Sequence, residues 1–114
     1  MSGRTRKQLA AARMHASVFA ALGDETRLSL VRKLCERSPR SIVQLTEGTR
    51  LTRQAISKHL RVLEDVGLVG SLRVGRESQY EFRPRPLDEA KDYLDEVSRQ
   101  WDVALASLKA FVER

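Results

Sequence analysis

The apolar positions of this chain follow two periods, and the change from one to the other divides the sequence. Up to about residue 66 they recur every three or four residues, as they do along one side of a helix. Residues 9–22 form the first such stretch, rich in alanine, with Met14, Val18, Phe19 and Leu22 on its apolar side and Gly23 closing it. Asp24 is placed to cap a second helix, DETRLSLVRKLCER, with a stripe of Leu28, Val31, Leu34 and Cys35. It must end near Ser38, because Pro39 disfavours helical geometry in the residue before it. Ser41 and Gln44 have the spacing of a capping box and open a short third helix, SIVQLTEG, which Gly48 stops. Thr52 caps a fourth, which runs to about Val66 and stops at Gly67.

Two short helices joined by a tight turn have the sequence form of a helix-turn-helix. At about 100° per residue, Ala55, Ile56, His59, Leu60, Val62, Leu63 and Val66 fill one arc of the fourth helix. Arg53, Gln54, Ser57, Lys58, Arg61, Glu64 and Asp65 fill the other. An ordinary solvated helix face fits that split equally well, so the segment after the helix decides. Beyond Gly67 the period becomes two, through LVGSLRV, GRES and QYEFR, which predicts a hairpin with Leu72, Val74, Tyr80 and Phe82 pointing inward. A hairpin after a helix-turn-helix, with Arg73 and Arg76 near its tip, is the pattern of a winged helix. Pro84 and Pro86 end the ladder, since proline has no N–H to donate.

From Leu87 the helical period returns. Leu87, Ala90, Leu94, Val97, Trp101, Ala104, Leu108 and Phe111 alternate spacings of three and four, the seam of a coiled coil, with Tyr93, Leu105 and Val112 widening it. The seam can pack on its own domain or on a second subunit; dimerisation is favoured, since a chain of 114 residues gains most from a shared core. The expectation is a mainly α fold with a small β-hairpin, ordered α-α-α-α-β-β-α and dimeric. A flexible basic arm occupies residues 1–8, one domain residues 9–114, and the dimerisation helix residues 87–112.

Composition narrows the chemistry. A hydrophobic fraction of 41% and a charged fraction of 32% describe a water-soluble globular protein with no membrane span, and no secretory leader opens the chain, which places it in the cytoplasm. Net charge is +6, with Arg4, Arg6, Lys7 and Arg13 at the amino end and a cluster of arginines between residues 49 and 86, so the partner is an anion. Cys35, His15 and His59 fall in three separate elements without a short-spaced pair, so no metal or other cofactor is expected. Cys35 reads as a buried structural thiol and His59 as a packed or backbone-bonded ring. No nucleophile elbow or phosphate loop is present, so no catalytic residue is assigned and an enzyme is the weakest reading.

Taken together, VFAALGDETRLSLVRKL, LTRQAISKHLRVLEDVGLV and the wing VGRESQYEF resemble the ArsR/SmtB family of winged-helix bacterial repressors, over nearly the whole chain from about Val18. The resemblance implies a homodimer built from the first and last helices, with Val18 and Leu22 joining Leu87, Leu94, Val97, Trp101 and Leu108 at the interface. It also implies an inverted-repeat operator in double-stranded DNA and blocked transcription. The usual metal-sensing motifs of that family are missing: SIVQLTEG holds no cysteine or histidine, and the final helix holds no histidine. Any inducer is then a small molecule of unknown kind.

On this reading the polar arc faces DNA. Arg53 and Gln54 are the leading base readers, because arginine can bond both acceptors of guanine and glutamine can pair with adenine. Ser57 and Lys58 come next. Thr52, Arg61, Arg73 and Arg76 hold phosphates, while Glu64 and Asp65 mark where the helix leaves the duplex. The rival is a winged-helix module that binds protein or RNA.

Overall fold

The computed structural model describes residues 5–113. Its elements in chain order are α1 (Arg6–Leu22), α2 (Glu25–Glu36), β1 (Arg40–Ser41), α3 (Ile42–Thr46), α4 (Arg53–Asp65), β2 (Val69–Val74), β3 (Glu77–Phe82) and α5 (Arg85–Val112). The helix starts are set by side chains. Asp24 Oδ2 accepts from Arg27 N at 3.0 Å, and Thr52 Oγ1 accepts from Ala55 N at 3.1 Å. At Ser41 the capping box closes reciprocally, with Ser41 N donating to Gln44 Oε1 at 2.9 Å and Gln44 N donating to Ser41 Oγ at 3.2 Å.

The same device starts α1 earlier than its alanine content indicates. Gln8 N donates to Thr5 Oγ1 and Thr5 N donates to Gln8 Oε1, so residues 6–8 are helical and the expected arm is shortened at its inner end. Residues 1–4, with Arg4, lie outside the described residues.

The core gathers Leu30 and Leu34 from α2, Leu45 from α3, Ile56, Leu60 and Leu63 from α4, and Leu68 and Val69 at the start of the wing. In α2 the buried stripe is Leu30, Val31 and Leu34, which corrects the expected one: Leu28 and Cys35 are exposed. Both stand about a third of a turn from Leu34, on the flank of the buried face. Desolvation and then the neighbouring Glu36 carboxylate push the Cys35 thiol up, which makes it a poor thiolate. Val62, assigned to the apolar arc of α4, is also exposed.

The sheet has three antiparallel strands in the order β1-β3-β2. Beyond the hairpin, β1 adds the pairs Arg40 with Tyr80 and Ser41 with Gln79, a strand too short to show a period. Within the hairpin Val69 opposes Phe82, Ser71 opposes Tyr80, Leu72 opposes Gln79 and Val74 opposes Glu77. Directly opposed residues share a face. Leu72 and Val74 therefore lie on the face opposite Tyr80 and Phe82, which corrects the expectation that all four point inward: Tyr80 is buried, Leu72 and Phe82 are half-buried, and Val74 is exposed.

Pro84 precedes α5 and Pro86 sits in its first turn, where a missing N–H costs no hydrogen bond, so Pro86 begins a helix. Ala90 is the one residue of α5 among the described residues that is fully buried, and α1 is the element it packs against most. Most of the 28-residue helix stands clear of the rest. Principal extents of 67 × 32 × 20 Å and a radius of gyration of 18.8 Å reflect this, against about 13 Å for a compact chain of similar length. Among the described residues no helix is long and apolar enough to cross a membrane.

Candidate nucleic-acid interface

The turn between α3 and α4 is held by threonines. Thr46 Oγ1 donates to Ile42 O at 2.7 Å, and Thr49 Oγ1 donates to Thr46 O at 2.8 Å and accepts from Leu51 N at 3.3 Å. With this corner fixed and Ile56, Leu60 and Leu63 fully buried, α4 has one face left to present. Thr52, Arg53, Gln54, Lys58 and Arg61 are exposed on it, and Ser57 is half-buried at its edge. The Thr52 oxygen is engaged as the cap acceptor, which leaves its O–H to donate outward.

The wing turns on Gly75 and Arg76, shorter than the expected GRES loop, since Glu77 and Ser78 already pair within β3. Gly75 has a φ of 63°, and no residue other than glycine has positive φ among the described residues, which is the pattern of a two-residue turn with glycine first. Gly67, with φ 78°, makes the reversal from α4 into β2. Arg76 is thereby carried to the wing's tip, and Arg73, opposite Ser78, is exposed two residues before the turn.

Several arginines elsewhere on the surface are paired with carboxylates. Arg32 pairs with Glu36, Arg83 with Glu81, Arg85 with Glu89 and Arg99 with Glu96. Among the described residues Arg53, Lys58, Arg73 and Arg76 have no such carboxylate and no hydrogen-bond partner. Four cations thus stand on the outer face of α4 and at the wing without a carboxylate partner among the described residues.

Three features of the site were not assigned from the sequence. Glu64 accepts from Ser71 Oγ at 3.5 Å, which ties the end of α4 to the wing in addition to setting a charge boundary. Tyr80 lies near the same helix end: burial, then the Glu64 carboxylate, raises its hydroxyl, against the opposing effect of Arg61. The third is Arg27, whose guanidinium lies 3.3 Å from His59 Nδ1 on the inner side of α4. His59 is half-buried as expected, but its ring is held by side chains and not by backbone. His15 stacks on Tyr93 of α5, with centroids 4.9 Å apart. Among the described residues no three His, Cys, Asp or Glu converge as a metal would require.

The description of bacterial regulatory proteins of the arsR family matches residues 24–71, from the cap of α2 into the wing. Over 77 residues the chain is 43% identical to the HTH-type transcriptional regulator YuzN of Bacillus subtilis, covering 62% of this chain and 84% of that protein. An ArsR-like transcriptional regulator from Rhodococcus sp. RHA1 superposes with a TM-score of 0.79 at 37% identity, over 90% of this chain and 95% of that one. The chain belongs to the ArsR family. Its fold is also that of the homodimeric winged helix-turn-helix DNA-binding domain Mb0332 of Mycobacterium bovis, with a TM-score of 0.67 at 24% identity over 90% and 94% of the two chains. As an ArsR-family protein it is a DNA-binding transcriptional regulator, with α3 and α4 as the helix-turn-helix and β2 and β3 as the wing.

Proposed function

We propose that this regulator is a homodimeric repressor that binds an inverted-repeat operator in the cytoplasm and blocks transcription by occupying it. In this reading residues 9–114 act as one domain, α4 enters the major groove and the wing reaches the neighbouring backbone. Arg53 and Gln54 read bases, with Ser57 and Lys58 beside them. Thr52, Arg61, Arg73 and Arg76 hold phosphates. The observation that carries the proposal is the set of unpaired cations Arg53, Lys58, Arg73 and Arg76, since unneutralised charge on an exposed helix and wing is what a polyanion releases counterions to meet. The reading invokes no catalysis and no resident metal or cofactor, and any inducer would be a small molecule of unidentified class.

Selection of bound duplexes from a random pool, followed by a mobility-shift assay, tests this. A pseudo-palindromic consensus retained at physiological salt is the expected result. Retention of no duplex, or of RNA in preference to DNA, would overturn it in favour of a winged-helix module for RNA or protein.

A further inference from the structure

On the side of α4 turned away from the reading face, a polar node joins three helices. Arg27, near the start of α2, is half-buried, and its guanidinium makes two bonds to the last turn of α1: Nε donates to Ala21 O at 2.7 Å and Nη2 to Ala20 O at 3.4 Å. Carbonyls in a last helical turn lack partners within the helix, so Arg27 acts as a side-chain cap for α1. Its remaining nitrogen, Nη1, lies 3.3 Å from His59 Nδ1. Asp24 completes the node, with Oδ2 3.7 Å from the same ring nitrogen while it accepts the Arg27 backbone N–H.

The chemistry of the pair fixes its direction. A guanidinium only donates, so a bond from Arg27 requires His59 Nδ1 to accept, with the ring proton on Nε2. The Asp24 oxygen is then a second acceptor facing an acceptor and cannot replace Arg27 as the partner of that nitrogen. Apart from Glu64, which ties the far end of α4 to the wing through Ser71, the other attachments of the helix, through Ile56, Leu60 and Leu63, are apolar and carry little directional preference. A small rotation about the helix axis changes them little, yet it moves the outward side chains of Arg53 and Gln54 relative to whatever they read.

We propose that Arg27 is a positioning residue for DNA reading, which fixes the rotation of α4 through His59 and ties it to the end of α1. The proposal rests on the assignment of α4 as the reading helix. It is tested with His59→Leu, His59→Gln and Arg27→Met, measuring affinity for the selected duplex and for a scrambled one alongside thermal unfolding. His59→Leu places an apolar side chain in an apolar arc. It should melt near the native temperature yet lose roughly tenfold in affinity for the selected duplex, the scale of one hydrogen bond to a charged group, with the scrambled duplex unaffected. His59→Gln, whose amide oxygen can accept from Arg27, should recover most of that loss, and Arg27→Met should resemble His59→Leu. Long-range proton–nitrogen spectra should show native His59 protonated at Nε2 and bare at Nδ1, a preference that Arg27→Met abolishes.

Native affinity and preference in both His59→Leu and Arg27→Met would overturn the proposal, as would equal loss on both duplexes or a native ring protonated at Nδ1. If Arg27→Met does not fold, the two His59 variants decide. If the unmodified chain retains no duplex, the reading of α4 falls and the positioning role with it, while the spectra still report on the bond itself.

Discussion

At the scale of single residues, the exposed cations and amides around α4 divide by what each can distinguish. Gln54 carries a donor and an acceptor side by side and is exposed one residue into the helix, so it can match one base edge and reject another. Arg76 stands at the wing's turn with no partner of its own, a place from which it meets backbone charge that is the same in every sequence. Gln54→Ala should relax preference at one base pair in each half-site and cost about 1–3 kcal/mol on the correct base. Arg76→Ala should weaken cognate and scrambled duplexes alike and reduce the salt slope by about one unit for each phosphate left without its arginine. Titrations of both duplexes at several salt concentrations separate the two. Loss of preference in Arg76→Ala together with a purely salt-sensitive loss in Gln54→Ala would mean that helix and wing have the opposite roles.

At the scale of elements, the helix starts are the most legible feature, because a cap is a side chain with a name. Ser41 with Gln44, Thr52 and Asp24 all cap where the sequence places them. Thr5 with Gln8 has the same spacing as Ser41 with Gln44, so the start of α1 carried a signal that the alanine-rich run behind it obscured. Period alone places a stripe without its centre, which is why Leu28 and Cys35 were assigned to a core that Leu30 occupies. Alternation likewise leaves the face undecided across a turn, and so Val74 was assigned inward. The exposed polar face of α4 was visible because Arg53, Gln54 and Lys58 share one arc of a single helix. The bond from Arg27 to His59 was not, since it joins residues 32 apart and Arg27 looks like any surface charge.

The cap of α2 also makes a testable statement about pH. The Asp24 carboxylate is held below its ordinary value of 3.8, first by the hydrogen bond it accepts from the Arg27 backbone N–H, which outweighs an opposing desolvation, and then by the nearby Arg27 guanidinium. A folded value below the unfolded one means stability that is present above the unfolded value and lost as pH falls through the folded one. Asn also caps well but carries no charge to titrate. The difference in unfolding free energy between the native chain and Asp24→Asn should therefore be level above about pH 5 and shrink in more acid solution. A difference that stays constant throughout the acid range would show that the charge on Asp24 contributes nothing.

At the scale of the whole molecule, α5 is the element that the single chain leaves unfinished. At about 1.5 Å per residue its 28 residues span some 42 Å, yet beyond Ala90 its large apolar side chains are exposed. Leu94 is 51% exposed, Trp101 63% and Leu108 58%, and they recur on the seam that begins at half-buried Leu87. Val18, assigned to the same interface, is only 5% exposed and packs in the core of its own chain, while α1 leaves Leu22 half-buried and Leu9 and Met14 exposed. Burying one such side chain fully contributes about 1.5–3 kcal/mol, so a second α5 laid along the first would stabilise both chains substantially. An inverted-repeat operator asks for the same arrangement, since two-fold symmetry in the DNA is matched by two-fold symmetry in the protein. Replacing Leu94 and Trp101 together by glutamate puts two carboxylates into that seam while leaving the α1 contacts of the first turns of α5 in place. Sedimentation should then show a folded monomer at low micromolar concentration where the native chain is a dimer, with helical content by circular dichroism confirming that the domain survives. A double variant that stays fully dimeric would place the interface elsewhere, and the exposed seam of α5 would need another partner.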